Sequence, residues 1–162
     1  METYPHLNGK RILVVDDEPD ILDTIEDILS MCTITKASGF EEAKAVLETT
    51  ALDLALLDIM GVDGYELLAI AKAHGIPSVM LTARALTVDD VKKSYVEGAS
   101  FYIPKEELAH IDAFLNEIFE DIAAGNNPWR RWMKKMGGFC ERTFGKKWQQ
   151  KDPDFWDNIP FY

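Results

Sequence analysis

The chain has 162 residues, of which 47% are hydrophobic and 28% charged, the balance of a globular protein with a full core. No apolar run approaches the roughly 18 residues of a membrane-spanning helix, and the N-terminus lacks the basic start and apolar core of a secretory signal. Cys32 and Cys140 show neither metal-binding nor redox spacing, which favours free thiols and a cytoplasmic location. This length suits one full domain and an appendage rather than two ordinary domains.

The net charge of −11 is divided unequally along the chain. Residues 1–125 carry 9 basic and 24 acidic side chains, whereas residues 126–162 carry 8 basic and 4 acidic ones. An acidic body with a basic tail indicates separate tasks, or a tail that lies against its own body or a partner subunit.

Five apolar stretches alternate with five amphipathic stretches up to about residue 123. The predicted strands are Arg11–Val15, Cys32–Lys36, Leu52–Leu57, Ser78–Thr82 and Phe101–Ile103. The predicted helices are one that begins after Pro19, followed by Phe40–Glu48, Tyr65–His74, Val88–Glu97 and Glu106–Ala123. This alternation predicts an α/β fold with a doubly wound, five-stranded parallel sheet and helices on both faces.

The pattern changes after a break at Gly125-Asn126-Asn127-Pro128. Trp129 to Phe144 is predicted as a basic helix that is interrupted at Gly137 and Gly138. The remainder, from Gly145 to Tyr162, is predicted to be irregular.

Carboxylates stand at the ends of two predicted strands. Asp16 and Asp17 follow the first strand, and Asp58 follows the third. Ligands bind at the carboxyl ends of strands in open α/β sheets, and carboxylates that meet there repel each other by about 4 kcal/mol per close pair. A hard divalent ion such as Mg²⁺ would relieve that repulsion. Helix capping by Asp16, Asp17 and Glu18 is the plainer alternative, but it does not account for Asp58.

Two further side chains complete the set. Thr82, followed by Ala83, ends the fourth strand, and Lys105 follows the fifth. Taken singly, Thr82 reads as a turn hydroxyl and Lys105 as a solvated lysine. In this order with the acids, the chain resembles the receiver domain of two-component response regulators, of flavodoxin-like fold, over residues 8–123. Residues 126–162 are then a short C-terminal extension rich in aromatic and basic residues.

The resemblance implies a metal-assisted phosphoacceptor site. Asp58 would take a phosphoryl group from the phosphohistidine of a sensor histidine kinase or a phosphotransfer protein. Mg²⁺ would be bound directly by Asp17 and through a water by Asp16, with Asp58 and the backbone carbonyl of Met60 as further ligands. The protein would then be no enzyme for a free metabolite, since it would catalyse only its own phosphorylation and dephosphorylation.

The resemblance also implies a conformational switch. Lys105 would pair with a phosphoryl oxygen, and Thr82 would hydrogen-bond the phosphoryl group and draw its loop inward. Tyr102 would be the aromatic residue that reports this shift to the surface of the fourth and fifth helices. The plainer interpretation of Tyr102 is a half-buried strand aromatic.

Two features depart from the family pattern. The loop from Asp58 to Gly64 is about two residues shorter than usual and lacks a proline, and Lys105 is followed by Glu106 and preceded by Pro104. The alternative function is therefore a receiver-like protein-interaction module that no longer cycles phosphate. An aspartate-nucleophile phosphatase is disfavoured, because Met60 stands where that chemistry needs a second acid.

The C-terminal extension interleaves large aromatic rings with basic side chains. The rings are Trp129, Trp132, Phe139, Phe144, Trp148, Phe155, Trp156, Phe161 and Tyr162. Such a segment can bind single-stranded nucleic acid or a membrane surface. Packing on the body or on the second subunit of a homodimer is favoured instead, because so many exposed rings would promote aggregation.

Overall fold

The computed structural model describes residues 4–82 and 87–157, so Ala83, Phe161 and Tyr162 lie outside the described residues. The strands are β1 (Arg11–Val15), β2 (Thr33–Ala37), β3 (Leu54–Asp58), β4 (Ser78–Thr82) and β5 (Phe101–Pro104). The first five α-helices are α1 (Pro19–Ile28), α2 (Phe40–Thr49), α3 (Gly64–Ala73), α4 (Val88–Val96) and α5 (Ile111–Ala124).

The five strands form one parallel sheet in the order β2-β1-β3-β4-β5. Every residue of β3, β4 and β5 is buried, as expected of a parallel sheet covered by helices on both faces. In the register, Val15 pairs with Leu57 and Asp58 with Leu81, so the strands end together at one edge. The predicted doubly wound α/β fold is confirmed.

The two outer strands of the sheet differ in exposure. At one margin, β2 is only partly buried, and its Lys36 pairs with Asp23 at 3.1 Å and Glu26 at 2.9 Å, both on α1. At the other margin, β5 is completely buried.

The long helix predicted from Glu106 is two elements. A 3-10 helix spans Lys105–His110, and α5 begins only at Ile111. Leu108 and Ile111 are both buried and lie three residues apart. A 3-10 turn has three residues, so it places both side chains on the core side.

Helix α6 (Trp132–Phe144) runs through Gly137 and Gly138 without a break, so the predicted interruption was wrong. Met136 and Cys140 are both buried on either side of the pair. Their burial outweighs the low helix propensity of glycine, which is worth about 1 kcal/mol per residue. The stretch predicted as irregular contains a 3-10 helix, Trp148–Lys151, and the short helix α7 (Pro153–Asp157).

Two tryptophans of the C-terminal extension cover β5. The indole N–H of Trp132 donates a hydrogen bond to the Tyr102 carbonyl at 2.9 Å. The indole N–H of Trp129 donates to the carbonyl of Ala99, just before the strand, at 2.7 Å. Since β5 is the last strand of the sheet, the Trp132 indole satisfies a carbonyl of β5 that a further strand would otherwise pair with.

Ion pairs join the basic extension to the acidic body. Arg131 lies 3.3 Å from Asp121 and 3.5 Å from Glu120, and Lys135 lies 2.9 Å from Glu117, all on α5. Lys92 on α4 pairs with Asp152 between the last two helical turns. The charge asymmetry of the sequence is thus expressed as contacts within one chain.

No helix in the described ranges is long and apolar enough to cross a membrane.

Candidate functional site

The carboxyl ends of β1 and β3 bring two buried acids together. Asp16 directly follows β1 and is fully buried, and Asp58 is the last residue of β3 and is 3% exposed. One oxygen of Asp16 accepts a hydrogen bond from the backbone N–H of Glu18 at 2.9 Å, which fixes the carboxylate at the start of α1. The sheet register therefore builds the pair from residues 42 positions apart.

Lys105 reaches both acids from the end of β5. Its ammonium lies 2.5 Å from Asp16 Oδ2 and 3.5 Å from Asp58 Oδ1, with its side chain 7% exposed. Burial alone would lower the pKa of Lys105, but its close pairing with Asp16 and the charge of Asp58 raise that pKa above its ordinary value. Lys105 is therefore a permanent cation in this site.

Asp58 resists ionisation. Burial, then the negative charges of Asp16 and Asp17, raise the pKa of Asp58 to about 6, although Lys105 acts in the opposite direction. Asp58 is thus a carboxylate at neutral pH, held among other carboxylates at an electrostatic cost. A further cation, or protonation of Asp58, would remove that cost.

The acids include a group with the geometry of a metal site. Carboxylate oxygens of Asp16, Asp17 and Glu18 all lie within 4.8 Å of one another. An all-oxygen donor set of this kind suits Mg²⁺ or another hard divalent ion. Glu18, which was not among the predicted ligands, joins the two aspartates that were. Asp58 lies beside the group, since Lys105 contacts both Asp16 and Asp58.

Two glycines let the short loop after Asp58 close over these acids. A Cβ added to Gly61, whose φ is +85°, would come within 2.5 Å of Asp17 Oδ2. A Cβ on Gly64 would collide with the carbonyl oxygen of Asp58. The loop that contains Met60 therefore touches both aspartates despite its length. The Met60 side chain itself is 56% exposed, and the ligand role of its carbonyl stays a prediction.

Thr82 and Tyr102 lie on the neighbouring strands β4 and β5, two register positions apart. Thr82 ends β4, one position beyond the partner of Asp58 in the register, and is 5% exposed. Tyr102 is completely buried. Burial above all, then the charges of Asp90 and Tyr65, raises the pKa of the Tyr102 phenol, while a hydrogen-bonding interaction with Thr82 lowers it.

The backbone carbonyl of Tyr102 accepts a hydrogen bond at 2.9 Å from the indole N–H of Trp132, the first residue of α6. Tyr102 therefore stands between a strand-end threonine of the site and a helix of the C-terminal extension. Nothing in the sequence pattern indicated this second neighbour, because α6 meets Tyr102 through tertiary packing.

Comparisons with known proteins agree on one family. The sequence matches the response regulator receiver domain over residues 12–116. It is 36% identical to the heme response regulator HssR of Staphylococcus saprophyticus over 70% of this chain and 57% of HssR. It is 37% identical to the DNA-binding response regulator MtrA of Mycolicibacterium smegmatis over 70% of this chain and 54% of MtrA. The chain thus spans little more than half the length of these relatives.

Solved structures agree with this match. A CheY-like response regulator receiver domain protein from Methanospirillum hungatei JF-1 superposes with a TM-score of 0.66 at 28% identity, covering 74% of this chain and all of that one. The Mn²⁺-bound form of response regulator Rcp1 gives a TM-score of 0.58 at 25% identity, covering 67% of this chain and 96% of that one.

Proposed function

Because this chain belongs to the response regulator receiver domains, a family of phosphoacceptor signalling domains, we propose that Asp58 is the residue that accepts the phosphoryl group. The observation that carries this proposal is the position of Asp58 at a strand end, 3% exposed and 3.5 Å from the ammonium of Lys105. An ionised, poorly neutralised carboxylate beside a fixed cation is suited to attack an electrophilic phosphorus.

The transfer is a single displacement at phosphorus. A carboxylate oxygen of Asp58 forms the new P–O bond while the P–N bond to the donor histidine breaks, and the histidine leaves with the electron pair. Lys105 neutralises charge on the transferred oxygens, and its 3.5 Å approach to Asp58 places it for that role. Asp16 and Asp17, with Glu18, Asp58 and the Met60 carbonyl as further ligands, would hold Mg²⁺, which supplies additional charge neutralisation when bound. The Mn²⁺ in the related Rcp1 supports a divalent ion.

Thr82 and Tyr102 are proposed as the switch. The Thr82 hydroxyl would turn to the phosphoryl oxygens, and the environment of Tyr102 would change in response. Their positions on the neighbouring strands β4 and β5, two register positions apart, support a connection between them.

The partner that fits this chemistry is a sensor histidine kinase or a phosphotransfer protein, as expected of relatives that are response regulators. We assign residues 8–123 to the receiver and residues 126–162 to an extension that packs on its own chain, and we expect the protein to be cytoplasmic. The hydrogen bonds from Trp129 and Trp132 support packing within the chain over packing on a partner subunit, nucleic acid or a membrane.

Intact-mass measurement after incubation with acetyl phosphate and Mg²⁺ tests the proposal. We expect one base-labile phosphoryl adduct that disappears in Asp58→Asn. Asp63→Asn is the matched control, because it removes an exposed acid from the same loop and should retain the adduct. If neither acetyl phosphate nor a cognate kinase produced an adduct, the chain would be a receiver-like interaction module without phosphate cycling.

A further inference from the structure

The C-terminal extension turns its rings inward, onto a face made by α4, β5 and α5. The Trp129 ring lies 5.6 Å from the Tyr95 ring of α4 and 6.0 Å from the Phe101 ring of β5. Arg131 and Lys135 complete this contact through their ion pairs with α5. The inward side of the extension is therefore occupied by its own chain, and its outward side is open to solvent.

The outward side of α6 carries cations. Trp132, Met136 and Cys140 are buried at four-residue spacing and mark the inward side of the helix. Lys134 and Arg142 are exposed. At about 100° per residue, Lys134 is turned roughly 200° from Trp132, and Arg142 roughly 200° from Cys140. Both cations therefore lie on the side of α6 away from the body.

These cations are not neutralised by the chain. Within residues 4–82 and 87–157, neither Lys134 nor Arg142 has an ion pair, and the same holds for the exposed Lys146 and Lys147, which follow the end of α6. Glu141 is the single acid in the sequence of α6. A local positive surface thus stands on a chain whose net charge is −11.

Gly138 leaves a notch between the two cations. It lies four residues from both Lys134 and Arg142, on the same side of the helix, and is itself exposed. A Cβ at Gly138 would meet only the guanidinium of Arg142, at 3.4 Å, so the chain has room for a side chain there. The backbone of another molecule can therefore approach α6 more closely at Gly138 than at the cations. Lys134, Gly138 and Arg142 are called the basic face below.

The spacing of the charges determines which partner fits. Lys134 and Arg142 are eight residues apart, which is about 12 Å along a helix. Carboxylates seven or eight residues apart on a second helix have about the same separation. We propose that the basic face docks an acidic helical segment of another protein. The partner's backbone lies over Gly138, and its carboxylates pair with Lys134 and Arg142.

Other anionic partners fit this surface less well. The phosphates of a nucleic acid would extend from α6 over the body, where residues 1–125 carry 24 acidic and 9 basic side chains. All four tryptophans are buried, so none is available to stack on a base. A second copy of this chain would bring its own net charge of −11, which opposes association.

An anionic membrane needs exposed apolar side chains beside the cations. Among the described residues, the exposed large hydrophobic side chains are those of Met60, Val96 and Ile122, all outside α6. An acidic protein segment is therefore the partner that the basic face fits best.

Fluorescence anisotropy with the full chain tests this assignment. The probe is a fluorescein-labelled peptide of about 20 residues with Glu at every fourth position and Ala between, which is long enough to form a helix. The same peptide with Gln in place of Glu is the control probe. We expect saturable binding of the Glu peptide, about 10-fold or more tighter than binding of the Gln peptide and weaker at high ionic strength.

Charge reversal locates the site. The double variant Lys134→Glu/Arg142→Glu should bind the Glu peptide about 10-fold or more weakly than the native chain. Lys44→Glu/Lys72→Glu makes the same change of net charge on α2 and α3, at lysines for which no ion pair is seen in the described ranges, and should bind as the native chain does. Glu141→Gln should tighten binding by about 2-fold, because it removes an acid from α6.

Gly138→Gln tests the close approach at the notch. Gln is a good helix former and the chain has room for its Cβ, so α6 should be at least as stable as in the native chain. The new side chain should nevertheless weaken binding of the Glu peptide by about 3-fold or more, because it holds the partner's backbone away. A purely structural role for Gly138 would instead lower the stability of the chain.

The outcomes decide between the partners. Equal binding of the Glu and Gln peptides, or equal loss of binding in the two double variants, overturns the proposal. A DNA duplex that binds more tightly than the Glu peptide, and that depends on Lys134 and Arg142, assigns the basic face to nucleic acid instead. Salt-sensitive oligomers of the full chain that Lys134→Glu/Arg142→Glu abolishes, measured by sedimentation velocity, assign it to a second copy. The basic face contains no residue of the phosphoacceptor site, so each of these results leaves the proposed role of Asp58 untouched.

Discussion

Lys105 and Asp16 show how one buried cation organises several acids. The ammonium lies within 4.0 Å of Asp16, Asp58 and Glu18, yet the three carboxylates and Asp17 outnumber it. The site therefore remains negative without a divalent ion. Substitutions in this group should therefore change the free energy of unfolding of the protein and its affinity for Mg²⁺.

Asp58→Asn should stabilise the protein when divalent ions are chelated. The pKa of Asp58 rises from 3.8 to about 6 on folding, so the folded state holds the proton more tightly and ionisation destabilises it as pH rises between those values. Denaturant titration should therefore give a gain of about 1–3 kcal/mol at pH 7.5 and almost none at pH 3.5. Saturating Mg²⁺ should reduce the gain at pH 7.5. An equal gain at both pH values would contradict this origin.

Gly61→Ala should weaken Mg²⁺ binding. The new Cβ would meet Asp17 Oδ2 at 2.5 Å and displace a carboxylate of the metal group. Isothermal titration should show a loss on the order of 10-fold or more. Gly9→Ala is the matched control, because Gly9 has a similar φ of +74° but nothing within 4 Å of the added Cβ. Comparable Mg²⁺ affinities in the two variants would rule out the contact as the cause.

At the scale of elements, the strands and the first four helices followed from hydrophobic pattern, since burial on both faces leaves strand sequences such as Ile12–Val15 almost purely aliphatic. Because the strands could be predicted, the residues that end or follow them could also be placed at one edge of the sheet, namely Asp16, Asp58, Thr82 and Lys105. Three features were not predicted, because they depend on tertiary contacts. They are the position of Glu18 beside the aspartates, the 3-10 turn before α5 and the unbroken helix α6. Local propensity carries no information about those contacts.

Gly138→Ala should stabilise α6. Gly138 is exposed in the middle of the helix, and an added Cβ meets only the flexible end of Arg142, at 3.4 Å. Thermal or chemical unfolding should show a gain of about 0.5–1 kcal/mol. Gly125→Ala, at the left-handed end of α5 with φ of +75°, should lose about 1 kcal/mol instead. A loss in Gly138→Ala would mean that the helix needs glycine at that point.

At the scale of the whole molecule, the body and the extension share one hydrophobic core that runs from β1 to Trp156. The composition predicted an acidic body and a basic tail, and the ion pairs of Arg131 and Lys135 with α5 agree with that asymmetry. Sequence alone left open whether the aromatic rings met this body or a second subunit. That choice depends on the shape of the α4–β5–α5 face.

Deletion of residues 126–162 should make the remaining chain associate with itself. The deletion exposes Tyr95, Phe101 and the open margin of β5, which are covered in the full chain. Sedimentation velocity should detect concentration-dependent oligomers in the truncated protein and a single monomeric species in the full chain. A truncated protein that stayed monomeric at all concentrations would show that the extension is not needed to shield this face.

The margins of the sheet are guarded by different chemistry. The edge strand β2 carries Lys36, which pairs with two acids of α1, whereas the edge strand β5 is covered by indole rings. Charge repels an approaching strand in a salt-dependent manner, while a hydrogen-bonded roof blocks it regardless of ionic strength. In concentrated salt, a strand of another molecule would therefore add first at the edge of β2. Aggregation of the stored protein would then depend on Lys36, which is far from the tryptophans.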